Sequence, residues 1–182
     1  MTTEAWGPLA KLIGDWEVAE GVDVSFHNAK GRVGETRYRE RVTMAPFGPV
    51  ENGTQKLWGL DYRMEAFREG ETSAFHTEIG YWLWDAEAGH VLRCFMVPRG
   101  VTVLAQANAK PTDTRFTLEA TLGHATFGVL SNAYLAEKAK TTKYVCKVVL
   151  EEGTFAYESC TTYHHHAGGE IAHTDRNVLR RV

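Results

Sequence analysis

Three stretches of this 182-residue chain carry side chains that could do chemistry. The first is His173-Thr174-Asp175-Arg176-Asn177. Strand alternation sets His173, Asp175 and Asn177 on one face and Thr174 and Arg176 on the other. If that face is internal, a neutral imidazole points into an enclosed space, and such a group is the usual protein ligand of haem iron. In a turn, the same histidine would only hydrogen-bond backbone. The second stretch, Phe75 to Asp85, sets His76, Glu78, Gly80, Trp82 and Trp84 against Phe75, Thr77, Ile79, Tyr81 and Leu83. The first of these faces joins an ionisable pair to aromatics. It lines a cavity, with Glu78 orienting His76, or it is a half-exposed surface with solvated charges. Gly80 marks a bend or the close approach of another group. The third stretch, Val97-Pro98-Arg99-Gly100-Val101, places Arg99 in a hairpin, where it could receive a carboxylate or propionate in bidentate fashion. An exposed hairpin arginine is the commoner case.

Other features are weaker as sites. His164-His165-His166 looks like a metal tract, but consecutive strand residues point in opposite directions, so three in a row cannot converge on one ion. With Ala167-Gly168-Gly169 following, it reads as a loop. Cys94, Cys146 and Cys160 form no close pair and no metal spacing, which fits reduced thiols in the core. Asn52-Gly53-Thr54 reads as an Asn-Gly turn. No nucleophile elbow, phosphate-binding glycine loop, zinc helix or paired-carboxylate signature is present, which argues against a hydrolase or transferase. A cofactor-free enzyme using His76 and Glu78 as acid and base stays open, and it would require a perturbed Glu78.

Charge narrows the partners. With 20 basic against 23 acidic residues, the chain offers no field for nucleic acid or an anionic membrane. No stretch approaches the ~20 apolar residues of a membrane span. Met1-Thr2-Thr3-Glu4 lacks the basic start and apolar run of a secretory signal, so the expectation is a cytoplasmic protein.

The elements that must position these groups are strands. Period-two alternation recurs in short runs broken by Gly, Pro, Asn or Asp. Ten are expected: 16–24, 36–44, 55–67, 74–84, 91–97, 101–107, 115–121, 142–150, 154–163 and 171–182. In the second, Tyr38, Glu40, Val42 and Met44 share one face, and Arg37, Arg39, Arg41 and Thr43 the other, towards solvent. Connections such as 85–89, 98–100, 110–113 and 151–153 are too short for a parallel crossover, so the sheet is antiparallel and meandering. Short helices are expected over 8–13 and 131–140, the latter capped by Ser131 or Asn132. One domain over 1–182, with 43% hydrophobic residues, is the simplest organisation. Closure into a barrel removes the sheet edges, and ten strands tend to leave a ligand cavity. A two-sheet sandwich is the alternative. Gly14-Asp15-Trp16 at one end and Arg180 or Arg181 at the other would seal such a barrel, with a guanidinium over the Trp16 face.

These pieces together resemble the nitrobindin-like haem-binding β-barrel family, also catalogued as fatty-acid-binding-protein-like, and especially a bacterial branch of it. The matching residues are Gly14-Asp15-Trp16, Gly21-Val22-Asp23-Val24, Phe75-His76, Gly80 to Asp85, Val97 to Val101, and His173 to Asn177 with Leu179 and Val182. The resemblance implies an all-β, ten-stranded, antiparallel up-and-down barrel of the lipocalin or fatty-acid-binding-protein type. It also implies a ferric haem b on a histidine near the C-terminus that binds nitric oxide or isomerises peroxynitrite. By position His173 is the iron ligand, with His76, Trp82 and Arg99 around the cofactor. Counting back from the final valine brings Thr174 near the family's histidine position, so which of the two looks inward is the question for the structure. A non-haem carrier of a fatty acid or other small amphipathic ligand, with Arg99 or His76 at the head group, is the second reading. Dimerisation through an exposed barrel face is undecided by sequence.

Overall fold

The computed structural model describes residues 3–182. Its strands are β1 (Gly14–His27), β2 (Arg32–Asn52), β3 (Gln55–Arg68), β4 (His76–Asp85), β5 (His90–Val97), β6 (Val101–Asn108), β7 (Arg115–Thr121), β8 (Val129–Ser131), β9 (Ala139–Glu151), β10 (Thr154–His165) and β11 (Gly169–Arg181). All pair antiparallel. They follow the order β5-β4-β3-β2-β1-β11-β10-β9-β7-β6, and pairing of β5 with β6 closes the ring into a ten-stranded barrel. The expected ten strands are therefore present.

β8 is additional and lies outside the ring, paired with β6 from Val101↔Ser131 to Val103↔Val129. Three residues are too few to show an alternation, so sequence reading passes over it. It lies where β6 and β7 diverge, since those two strands meet in register only at Gln106↔Glu119.

Alternation explains the walls. In β2, Tyr38, Glu40, Val42 and Met44 are buried and the intervening arginines exposed; in β7, Phe116, Leu118 and Ala120 point inward between exposed neighbours. Tight turns set the register, as where Asn52↔Gln55 closes the β2–β3 hairpin around Gly53. Gly80 is required by a close approach: a Cβ there would lie 1.9 Å from the Cys94 carbonyl oxygen of β5.

The two ends of the barrel differ. One is plugged by a 3-10 segment, Thr3–Leu12, which is longer than the expected helix and begins earlier. It buries Trp6, Leu9 and Leu12 against the barrel floor, where Trp6 Nε1 donates to the Gly59 carbonyl at 2.9 Å and Trp16 Nε1 to the Leu12 carbonyl at 2.8 Å. The seam joins chain start to chain end. Trp16 is paired with Arg181, whose guanidinium carbon stands 4.4 Å from the Trp16 ring centre, and whose N–H groups donate to the Ile13 and Lys11 carbonyls. The cation–π part alone contributes roughly 0.5–2 kcal/mol.

The opposite end is the mouth. There α1 (Ala133–Lys138) buries Leu135, and Asn132 caps it by accepting from the Leu135 N–H at 3.0 Å. This helix is shorter than expected because Ser131 belongs to β8 and Ala139 to β9. Among the described residues, no helix is long and apolar enough to cross a membrane.

Candidate binding site at the barrel mouth

Register brings the site together. Asp23 of β1 is the direct cross-strand partner of Asp175 of β11, and alternation places His173 on the same inward face as Asp175, with Thr174 on the other. His173 Nε2 lies 2.5 Å from Asp23 Oδ2 and 3.2 Å from Asp175 Oδ2. The far oxygens are held too: Ser25 donates to Asp23 Oδ1 at 2.8 Å, and Tyr38 donates to Asp175 Oδ1 at 3.4 Å. Burial alone would pull the His173 pKa down, but hydrogen bonds and charges from Asp175 and Asp23 outweigh it and push it up to about 10. Burial raises Asp23 in turn, and the contact with His173 more than reverses this, leaving it below its ordinary value. His173 is thus an imidazolium between two carboxylates.

From Asp175 a line of hydroxyls runs into the barrel. Tyr38 and Tyr157 face each other at 3.3 Å, Tyr157 donates to Glu40 Oε2 at 2.7 Å, and the Asn177 amide donates to Glu40, Tyr38 and Tyr157. Glu40 is fully enclosed. Burial pushes its pKa up to about 8 despite these donors, with the Glu78 charge adding to the rise. The Asn177 Oδ1 has no partner.

A second network fills the lumen beside the first. Arg93 of β5, in register with Trp82, donates through Nη2 to Glu78 Oε2 at 2.5 Å and to the Tyr62 hydroxyl at 2.8 Å, and through Nη1 to Tyr144. Its guanidinium carbon is 5.1 Å from the Trp82 ring centre and 4.6 Å from that of Phe95. Burial would raise Glu78, but Arg93, with His76 and Tyr62, holds it at about 2. His76 Nε2 stands 3.5 Å from Glu78 Oε1 and is raised by it against the effect of burial. Glu78 is therefore a permanent counter-ion and too weak a base for the acid–base chemistry considered from sequence. The lumen that ten strands enclose is packed with Trp82, Tyr62, Tyr144, Phe95 and Arg93, each under one-tenth exposed.

The candidates from sequence separate accordingly. His173 and His76 both reach the mouth, each on an acidic partner. Trp82 is a lumen side chain 1% exposed, with its indole N–H unpartnered. Arg99 is exposed in the β5–β6 turn, where its carbonyl accepts from the Asn132 amide at 2.6 Å. Of the histidine tract, His164 and His165 belong to the end of β10 rather than to a loop. His165 is buried against Phe26 and accepts from the Ala167 and Gly168 N–H groups, a corner that shapes the chain.

Sequence reading missed Arg93 and Asp23. Arg93 had a signal, since alternation places it between Val91 and Phe95 on an otherwise apolar inward face. Asp23 had none, because its partner His173 lies 150 residues away.

The comparisons agree with this architecture. No curated protein matches the chain. Among solved structures, the chain is similar to the crystal structure of Rv2717c from M. tuberculosis, with a TM-score of 0.68, 17% identity, and coverage of 98% of this chain and 97% of that one. At that identity the likeness concerns the fold. The family model described as "THAP4-like, heme-binding beta-barrel domain" matches residues 5–181. The chain belongs to the THAP4-like haem-binding β-barrel domain family.

Proposed function

We propose that this chain binds a small ligand at the barrel mouth, and that the ligand presents a compact positive or hydrogen-bond-donating group to Asp23 and Asp175. On this reading His173 Nε2, as it is held, does not carry a haem iron. One observation carries it: the Nε2 of His173 faces two carboxylate oxygens at 2.5 and 3.2 Å. A metal–nitrogen bond is about 2 Å long, so an iron on this nitrogen would stand where the two carboxylates converge and would have to displace them from it. Haem does not fit these residues as they are held. Nitric oxide binding and peroxynitrite isomerisation both depend on that iron, so the reading does not extend to them.

Charge argues against a fatty-acid head group as well. Arg93 and His76 already face Glu78, and His173 faces two aspartates. With two carboxylates against one imidazolium the cluster is net negative, and it repels an entering carboxylate in a half-buried site.

Haemin titration followed by absorption tests the proposal, with wild type and His173→Ala side by side. The expected result is the same weak, non-specific spectrum for both. An equimolar complex with a Soret band in wild type that His173→Ala removes would overturn it.

A further inference from the structure

We propose that Asp23 Oδ2, Asp175 Oδ2 and His173 Nε2 form a site for one divalent transition-metal ion, zinc being the probe of choice. The inference rests on the reading that the mouth receives a positive group, and it names that group. The three donor atoms all lie within 4.8 Å of one another. Each comes from strand backbone fixed in register, Asp23↔Asp175 across the β1–β11 seam and His173 two residues along the same face.

The second layer of contacts makes this more than an ion pair. Each carboxylate has its Oδ1 engaged by a hydroxyl, from Ser25 and from Tyr38, and turns its Oδ2 to the common centre. Such outer hydrogen bonds orient metal ligands and are a regular part of metal sites.

Size distinguishes a bare ion from haem. Zinc bonds of about 2.0–2.2 Å in a tetrahedron set neighbouring donors roughly 3.3 Å apart. The His173–Asp175 separation of 3.2 Å already meets this, and the His173–Asp23 separation of 2.5 Å must widen by less than an ångström, about 0.8 Å. A bare ion uses all three donors at once, whereas a haem iron held by His173 would leave the two carboxylates without a role. The ion takes the place of the Nε2 proton, which is released to water, and the two carboxylates with the neutral imidazole that remains balance a dication. His173 keeps a side-chain exposure of 32%, leaving the outer side of the ion open to water or to a ligand atom. One imidazole with carboxylate oxygens suits zinc, manganese or iron(II) better than copper(I).

The test is isothermal titration of chelator-treated, dialysed full-length protein with zinc, repeated with Asp175→Asn, His173→Gln and the surface double variant His164→Ala/His166→Ala. Circular dichroism checks that each variant is folded. One equivalent of zinc is expected in wild type and in the surface variant, with affinity at least about tenfold lower in either site variant. Histidine-detected NMR should show the His173 ring shifting on zinc addition while His76 and His165 do not. Absence of binding in wild type overturns the inference, as does binding that survives both site variants and is lost in His164→Ala/His166→Ala. These outcomes are separate from the haemin result: a protein that binds neither haem nor zinc loses only the metal assignment.

Discussion

At the scale of single residues, the lumen is governed by two glutamates with opposite fates. Glu78 sits on Arg93 and is held at about 2, and Glu40 lacks a cation and rises to about 8. Removing Arg93 alone leaves a buried, uncompensated carboxylate. Arg93→Met is expected to cost about 3–5 kcal/mol, and Arg93→Met/Glu78→Gln clearly less than the sum of the two single changes. A double-mutant cycle by denaturant unfolding measures this. Glu40 gives the reverse signature. Its folded pKa lies above the unfolded value of 4.5, so the stability linked to its proton is fully present below about pH 4.5 and is lost as pH rises through about 8. Glu40→Gln should therefore stabilise the protein by a growing margin from pH 5 to 8, reaching a few kcal/mol, and leave it nearly unchanged at pH 4. Equal margins at pH 4 and 8 would contradict the assignment. Alternation already placed Glu40 on the buried face of β2. Its partners were not legible, because Tyr157 and Asn177 arrive from 117 and 137 residues away.

Strands were the most legible elements, because a closed barrel buries one face of every strand and exposes the other, so period two is written along each. Turns were legible for the same local reason, as at Asn52-Gly53. Gly80 shows the limit of such reading: sequence marks a bend or a close approach there, and the fold shows the close approach, with the Cys94 carbonyl as what approaches. A Cβ at 1.9 Å cannot be accommodated without parting β4 from β5, so Gly80→Ala should destabilise by about 3 kcal/mol or more, as seen in thermal unfolding. The N-terminal cap of α1 is worth less. Asn132→Ala is expected to cost about 1 kcal/mol, a difference that thermal melts resolve, with effects confined to the mouth near β8 and Arg99.

For the molecule as a whole, closure depends on its two ends meeting. Gly14-Asp15-Trp16 and the terminal arginines were legible as a seam from residue types alone, and Arg181 fills that role over Trp16. Arg181→Ala should lower stability by roughly 2 kcal/mol in denaturant titration, since it removes the cation–π contact and the donors to Ile13 and Lys11. The barrel and its family connection were legible because both rest on patterns spread along the chain. What the mouth does with its histidine was not legible, since facing inward and being free to bind iron are different properties, and only the aspartate brought in from β1 separates them. The central claim is that His173 is held between Asp23 and Asp175. Nitrogen-15 NMR of the imidazole rings in metal-free protein at pH 7.5 tests it most directly. Both ring nitrogens of His173 are predicted to carry protons, and to keep them until the pH approaches about 10. A neutral ring with an unprotonated Nε2 at that pH would contradict the account.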